Sequence, residues 1–335
     1  MFFDKLKKNL EKREILTELN EPTNWVSTGS AVLNYRMTGR IDVGISNKRS
    51  LLLWGQSGTG KSFLSSTIAK NCQDDGYRII YLDSEESISK DYMKKIGINL
   101  SEDWFVPIKI DTIEQATAAV SEVFNAMTPE KIDKKTGEIL ENGDKFVIVI
   151  DSLAGLMSEK EADEFSKGTA KGDQGQLAKR LKLFVKNINK KIADYDAFCV
   201  MVTHAYQSQD MYSPEKWICT GGKGMQFFPS FSVMLDKARI KGDEKGFRMK
   251  FEVSKTRFTA PFQKGELVVP YESGIEFTDG LLEVLEEEGV VKKNGGWYSF
   301  DKNGENVKFQ AGKLNEHVDN LMEIFANKEL VESDD

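Results

Sequence analysis

Eight residues in the first quarter of the chain constrain its fold more than any other feature. The sequence GQSGTGKS (residues 55–62) follows the apolar run SLLLW (residues 50–54) and precedes a segment of helical character. It fits the pattern G-x-x-x-x-G-K-[ST], in which backbone N–H groups curl around phosphate oxygens at the positive end of a helix dipole. A glycine-rich turn without a ligand is the alternative. Because the flanking strand and helix are the context that the pattern requires, the sequence predicts a nucleotide-binding loop.

Two side chains of this loop carry its predicted chemistry. Lys61 is placed to reach the β and γ phosphates, and Ser62 to ligate magnesium. Nucleotide contacts are predicted for the loop and the residue after it, namely Gly55, Gln56, Ser57, Gly58, Thr59, Gly60, Lys61, Ser62 and Phe63.

Two other apolar runs end in carboxylates. FVIVIDS brings Asp151 to the end of a buried strand, where it can orient the magnesium shell. YLDSEES ends another strand with Asp83, Glu85 and Glu86. A carboxylate there can polarise a water that attacks the γ phosphate, but Asp, Ser and Glu also favour the start of a helix. From spacing alone, a catalytic base and a helix-capping cluster are equally good interpretations.

Composition limits the class of protein. The chain has 335 residues, 40% of them hydrophobic, with three cysteines, two histidines and a formal net charge of −7. Too few cysteines and histidines occur for a disulfide framework or a zinc cluster, and the acidic balance argues against binding nucleic acid over the whole surface. The charged N-terminus lacks the apolar core of a signal peptide, and no later run approaches a membrane span. We therefore expect a cytoplasmic protein without membrane contact.

Strand-like and helix-like segments alternate along the chain, which is typical of an α/β fold with a mostly parallel central sheet. Asp111 is expected to cap one helix. Segment 128–145 is polar with turn signals and predicts a surface hairpin insertion. The β-rich segments after Phe231 predict a mixed or antiparallel extension of the sheet. A strand at residues 197–203 precedes about twenty residues without clear periodicity, and loops of that length usually bind something.

Three parts are predicted along the chain. Residues 1–27 form an N-terminal helix and linker, because apolar residues from Phe3 to Leu19 recur at helical spacing. Residues 28–276 form the core, and residues 277–335 a small α+β appendix with an acidic tail.

The order of these parts resembles the RecA family of ATP-dependent strand-exchange recombinases, most closely its phage UvsX branch. The resemblance extends from about residue 51 to residue 262, and a weaker resemblance occurs in GGWYSFD near the C-terminus. The segments that carry it are GQSGTGKS, YLDSEESISKDYMKKIGI, VIVIDSLAGLMSEKE, VMVTHAYQSQDM, TGGKGMQF and FEVSKTRFTAPF.

The resemblance assigns roles to single residues. Glu85 matches the family's catalytic glutamate, which favours catalysis over capping. Tyr92 matches the aromatic residue that packs on adenine. His204 stands where the family has a polar residue, commonly glutamine, that senses the γ phosphate at the entry to the second DNA-binding loop. Lys255 and Arg257 match a basic pair that reaches a neighbouring subunit's ATP. The catalytic candidates are thus Glu85, Lys61, His204, Lys255 and Arg257.

Residues 158–174 and 205–222 correspond to the family's two DNA-binding loops. The first carries more acidic than basic residues, so DNA contact is expected to use backbone N–H groups, aromatic and apolar side chains as well as cations. The candidate DNA contacts are Lys179, Arg180, Tyr206, Met211, Tyr212, Trp217, Gly221, Gly222 and Lys223.

The resemblance implies a recombinase that uses ATP and Mg²⁺, polymerises on single-stranded DNA and pairs it with a homologous duplex. It implies a helical filament in which residues 1–27 contact the neighbouring subunit, with loader and single-strand-binding proteins as further partners. For a phage-encoded chain the setting is the host cytoplasm. Two alternatives share the nucleotide site: a ring helicase of the DnaB type, and an ATP-gated recombination mediator without strand exchange.

Overall fold

A computed structural model describes residues 2–11, 21–86, 89–133, 139–169, 175–208, 216–238 and 245–333. The helices are α1 Phe2–Glu11, α2 Ala31–Thr38, α3 Lys61–Asp74, α4 Lys90–Ile96, α5 Ile113–Ala126, α6 Glu159–Ser166, α7 Gln176–Lys191, α8 Leu281–Glu287 and α9 Val318–Ser333. The strands are β1 Trp25–Val26, β2 Ile45–Ser46, β3 Arg49–Gly55, β4 Arg78–Asp83, β5 Phe105–Lys109, β6 Lys131–Ile132, β7 Ile139–Glu141, β8 Phe146–Asp151, β9 Ala197–Gln207, β10 Trp217–Cys219, β11 Phe231–Ala238, β12 Gly246–Lys255, β13 Gln263–Pro270, β14 Lys292–Asn294, β15 Trp297–Lys302 and β16 Glu305–Gln310.

The central sheet has the strand order β13-β12-β11-β3-β9-β8-β4-β5. All pairs from β11 to β5 are parallel, whereas β12 and β13 add antiparallel strands at one edge. The predicted α/β class with a mostly parallel sheet is confirmed, and so is its antiparallel extension. Within the described residues, no helix combines the length and the apolar character needed to cross a bilayer.

Both faces of the sheet are buried, as the continuous apolar runs require. Side chains alternate along β3, so Leu51 and Leu53 belong to one core cluster and Leu52 and Trp54 to the other. Helix α3 covers the first face, and α5 with α7 covers the second. The predicted nucleotide-binding loop joins β3 to α3 and therefore lies at the carboxyl edge of the sheet.

The terminal segments differ in how they contact this core. Helix α1 exposes the side chains of Phe3 and Leu6, while residues 12–20 of the predicted helix lie outside the described residues. The C-terminal segment packs on the α3 face through α8 and α9, and the Phe325 ring meets Tyr35 edge-on. Residues 334 and 335 of the predicted acidic tail also lie outside the described part. The division at residues 27 and 276 stays a prediction.

Two local expectations are corrected. Thr112, not Asp111, caps α5, because its side chain accepts the N–H of Gln115 while the Gln115 side chain returns the contact in a capping box. The strand expected at residues 197–203 continues to Gln207, because Trp217–Cys219 pairs antiparallel with its extension. The partner strand lies ten residues further along, so no local period in the sequence indicates it.

The predicted hairpin insertion is present: β6 pairs antiparallel with β7, with residues 134–138 outside the description. A buried ion pair anchors it to the amino edge of the sheet. Lys48 Nζ lies 2.7 Å from Glu130 Oε2, and the two side chains are only 1% and 2% exposed. Breaking a buried pair leaves an uncompensated charge, whereas replacing both charges by apolar groups removes the desolvation cost as well.

Glu130→Leu should therefore lower the free energy of unfolding by about 3–5 kcal/mol, and the double variant Lys48→Met with Glu130→Leu should recover most of that loss. Urea denaturation measures both. The control is Lys131→Met, which breaks the exposed Lys131–Glu141 pair on the same hairpin and should cost less than about 1 kcal/mol. Equal effects of the buried and exposed changes would contradict the role given to Lys48.

Candidate nucleotide-binding site

Strand register brings the predicted site residues to one edge of the sheet. Gly55 at the end of β3 pairs with His204 on β9, and Asp83 at the end of β4 pairs with Asp151 on β8. Glu85 follows two residues after Asp83. Ligand sites of open parallel sheets lie outside the carboxyl ends of the strands, and this edge has that position.

A cavity of about 920 Å³ opens at this edge. The predicted site residues that line it are Ser57, Gly58, Gly60, Lys61, Ser62, Phe63, Glu85, Tyr92, Asp151 and His204. The predicted contacts Gly55, Gln56 and Thr59 are not among the residues that line the cavity. They stabilise the loop internally, as the hydrogen bond from the Thr59 hydroxyl to the Gln56 carbonyl at 2.9 Å shows. A cavity of this size accommodates a ligand as large as a nucleotide.

Close packing explains two of the loop glycines. A β-carbon on Gly55 would stand 2.1 Å from the carbonyl oxygen of Leu235 on β11. At Gly60, where φ is +92°, a β-carbon would stand 2.5 Å from Met249 Cε and 2.9 Å from Phe247 Cζ. The antiparallel extension thus forms an outer wall of the loop, which only glycine can approach so closely.

Lys61 is the buried cation of the cavity. Its Nζ donates to the carbonyl oxygens of Gly55 at 3.1 Å and Gln56 at 2.6 Å, so it folds back over its own loop. Burial lowers the pKa of Lys61 to about 8, although Asp151 and Glu85 nearby act in the opposite direction. A buried ammonium whose hydrogen bonds go to neutral carbonyl oxygens can be stabilised further by an anionic ligand.

Asp151 is the buried carboxylate beside it. The Tyr81 hydroxyl donates to Asp151 Oδ2 at 3.0 Å, and Ser62 also hydrogen-bonds this carboxylate. Burial raises the pKa of Asp151, and the two hydrogen bonds oppose that rise. One carboxylate and one hydroxyl are hard oxygen donors, and Mg²⁺ is usually held by one or two carboxylates together with substrate phosphates. The residues present fit magnesium in that mode.

Glu85 joins the nucleotide site to strand β9. Its Oε1 accepts the Ser152 hydroxyl at 2.5 Å and lies 2.9 Å from His204 Nε2. Burial acts to raise the pKa of Glu85, but hydrogen bonds from Ser152 and His204 outweigh it and lower the pKa. Because the carboxylate is ionised and can only accept, Nε2 of His204 is the donor in this contact.

The part of the cavity near Tyr92 includes a residue that the sequence indicated and others that it did not. Tyr92 is half-buried at the cavity wall, where burial raises its pKa to about 12. The cavity is also lined by Pro270 at the end of β13 and by Tyr271 and Gly274 in the turn that follows. PYESG reads only as a strand end followed by a turn, and no local signal connects it to a loop more than 200 residues earlier.

Lys255 and Arg257 are absent from this cavity. Lys255 pairs with Ser232 at the start of β11, so it lies toward the amino edge of the parallel strands, away from the loop. Its Nζ donates to the carbonyl oxygens of Phe227 and of Pro229, the latter at 2.6 Å. Burial and the nearby Arg257 lower the pKa of Lys255. Within a single chain, Lys255 and Arg257 therefore cannot contact a ligand held by the loop of residues 55–62 of that same chain.

The candidate DNA contacts fall into several environments. Tyr206 on β9 is 48% exposed. Trp217 on β10 is half-buried, with Lys216 Nζ 5.6 Å from the centroid of its ring. Arg180 is engaged in an ion pair with Glu114, so its charge is partly used within the chain. Lys179 is exposed, and Gly221 and Gly222 have positive φ angles. Met211, Tyr212 and the side chain of Lys223 lie outside the described part of the structure.

Comparison with known proteins agrees with this architecture. The family described as RecA N-terminal domain matches residues 3–276. Protein RecA of Chlorobium limicola is 26% identical over 278 residues, covering 82% of this chain and 73% of the relative. Protein RecA of Streptomyces coelicolor is 25% identical over 287 residues, covering 84% and 70%, and that of Pseudarthrobacter chlorophenolicus is 24% identical over 289 residues, covering 85% and 75%. The chain belongs to the RecA N-terminal domain family.

Proposed function

We propose that this protein is an ATP-dependent recombinase that polymerises on single-stranded DNA and catalyses homologous pairing and strand exchange. ATP with Mg²⁺ binds at the loop of residues 55–62, and DNA stimulates hydrolysis to ADP and phosphate. Among RecA-family proteins we place it nearest the phage UvsX branch, with roles in recombination, repair and recombination-dependent replication in the host cytoplasm. Loader and single-strand-binding proteins are its expected partners.

One observation carries this proposal: the hydrogen bond between Glu85 and His204. Glu85 lies at the nucleotide cavity, whereas His204 lies on the strand that becomes the β9–β10 hairpin. The His204 carbonyl also accepts the N–H and hydroxyl of Thr220, at 2.9 and 3.0 Å, on the returning arm of that hairpin. A change at the γ phosphate that moves Glu85 is therefore transmitted to both arms of the segment proposed to touch DNA.

Hydrolysis needs a base, charge neutralisation and a held phosphate chain. In the proposed mechanism Glu85 remains ionised near neutral pH and accepts a proton from the attacking water. Lys61 leaves the loop carbonyls and turns to the phosphate oxygens. Ser62 and Asp151 are the residues that would hold magnesium, and the ion would supply charge neutralisation at the phosphates.

Lys255 and Arg257 act in this proposal on a neighbouring subunit. They share the far edge of the sheet with Arg49, and burial together with Arg257 lowers the pKa of Arg49. Glu21 acts in the opposite direction on Arg49, and an anion from a neighbouring subunit is proposed to stabilise these cations further. Head-to-tail stacking that brings this edge against the next subunit's phosphates generates an open filament. Helix α1, with Phe3 exposed, is proposed to contact the neighbour in the same filament.

The DNA contacts are proposed to rely on stacking as well as charge. Exposed Tyr206 and half-buried Trp217 lie on facing strands of the hairpin, and Lys179 with the glycines at residues 221 and 222 supplies cation and backbone contacts. Base–aromatic stacking is worth about 1–3 kcal/mol per base and is tolerant of sequence. That matches a filament in which base pairing alone reads the DNA sequence.

The direct test measures ATP turnover with and without single-stranded DNA, with electron microscopy of the same samples. DNA-stimulated turnover, helical filaments and pairing of homologous duplex support the proposal. Glu85→Gln is the control, because it should keep ATP and DNA binding while turnover nearly disappears. Unwinding of a forked duplex by rings would instead indicate the helicase, and ATP-gated DNA binding without strand exchange would indicate the mediator.

The affinity for ATP should depend on pH through Lys61. Phosphate binds the charged ammonium, and above the Lys61 pKa of about 8 the free protein loses that charge. The Kd of Mg-ATP should therefore rise roughly tenfold between pH 7.5 and pH 9. Calorimetry at each pH gives the profile, and Lys61→Arg, which does not titrate in this range, should flatten it. A pH-independent Kd in the unmodified protein would contradict the assignment.

His204→Ala should bind ATP with a nearly unchanged Kd but lose the gain in DNA affinity that ATP produces. Anisotropy of a labelled oligonucleotide, with and without a non-hydrolysable ATP analogue, measures the coupling. His204→Gln keeps an N–H that can donate to Glu85, and this variant should retain most of the gain in DNA affinity that ATP produces. If the alanine variant still tightens on DNA to the normal extent, His204 does not transmit the signal.

The double variant Lys255→Ala with Arg257→Ala should lose DNA-stimulated turnover by at least about a hundredfold while monomeric ATP binding is unchanged. The reason is that both cations are remote from the chain's own cavity. Arg248→Ala, which removes an exposed cation paired with Glu266 on the same strand β12, is the control and should turn over normally. Normal DNA-stimulated turnover in the double variant would exclude action on a neighbouring subunit.

A further inference from the structure

A second cation of the same chain approaches the nucleotide loop. We propose that Lys237, on strand β11, binds phosphate oxygens of the nucleotide held by the loop of its own subunit. This inference rests on the proposed binding of ATP at that loop. It differs from the proposed action of Lys255 and Arg257, because it requires no neighbouring subunit.

Strand register brings Lys237 to the loop. Leu235 pairs with Gly55, the first residue of the loop, and Lys237 follows two residues later on the same face of β11. That face carries Val233 and Leu235 toward the core on the α3 side of the sheet. The ammonium group therefore projects over the start of α3, from the side opposite β9.

Distances place the ammonium at the rim of the loop. A β-carbon on Gly58 would stand 3.9 Å from Lys237 Nζ, and Lys237 lines the same cavity as Lys61 and Glu85. Nζ also lies 5.4 Å from the centroid of the Phe247 ring, which itself packs against Gly60. The aromatic ring orients the cation without neutralising it.

The charge of Lys237 is available to a ligand. Among the described residues no carboxylate forms an ion pair with it, whereas Lys70, which lines the same cavity, is paired with Asp74. The carboxylates that line the cavity are Asp151 and Glu85, near the ends of β8 and β4, and Glu272, in the turn after β13, and among the described residues none of the three forms an ion pair with Lys237. A chain of phosphates that enters between Lys61 and Lys237 meets a cation on each side, and charge-assisted contacts of this kind are the strong ones.

The test is the Kd of Mg-ATP for DNA-free protein, measured by calorimetry. Lys237→Met keeps the apolar stem on Phe247 but removes the charge, and it should raise the Kd about tenfold. Lys237→Arg should stay within about threefold of the unmodified protein, because a guanidinium also binds phosphate and stacks on an aromatic ring. Lys250→Met, on the neighbouring strand β12, removes one exposed positive charge away from the cavity and should leave the Kd unchanged.

The number of phosphates supplies a second readout. The effect of Lys237→Met should be larger for ATP than for AMP, because the loss acts on phosphate rather than on adenine. If Lys237→Met binds Mg-ATP as Lys250→Met does, or loses AMP and ATP affinity equally, the inference is overturned. Failure of the unmodified protein to bind Mg-ATP at all would instead overturn the proposed function.

Discussion

The parallel pairing of β3, β9, β8 and β4 in one register is the interaction on which the rest of the site depends. Because successive side chains of a strand point to opposite faces, a slip of one residue would turn each of them to the wrong side of the sheet. The observed register pairs Gly55 with His204 and Asp83 with Asp151. It thereby places the phosphate loop, the carboxylates and the histidine at a single edge.

The charged groups gathered at that edge include a buried cation, Lys61, near the carboxylates of Asp151 and Glu85. Lys61 is buried and reaches only carbonyl oxygens of its own loop, and burial lowers its pKa. Glu85, by contrast, is held ionised by donors from Ser152 and His204. The site therefore combines a buried cation that is hydrogen-bonded to neutral carbonyl oxygens with an ionised carboxylate, an arrangement that suits phosphate binding beside a general base. At the far edge of the sheet, Lys255 likewise donates to carbonyl oxygens, and burial together with Arg257 lowers its pKa.

Features that depend on residues close together in the chain could be predicted from the sequence, whereas features that depend on residues far apart in the chain could not. The loop of residues 55–62, Asp151 and the strands that lead to them are specified by neighbours in the chain, and they lie where the patterns predict. Thr112 in place of Asp111 is a shift of one residue at a helix start, where both side chains can cap. The β9–β10 pairing and the positions of Tyr271 and Lys237 at the cavity depend on partners far away in the chain, so no window of sequence contains them.

By itself the sequence determined the element types, the phosphate loop and the identity of the acidic residues, because strand hydrophobicity, glycine conformation and helix starts are local properties. Only the tertiary structure decided which side chains meet. It brought Glu85 within 2.9 Å of His204, directed Lys237 to Gly58, and kept Lys255 away from the loop of its own chain. The physical reason is that these distances are set by strand order and register. Both arise from the burial of two apolar faces over the whole sheet rather than from any one segment.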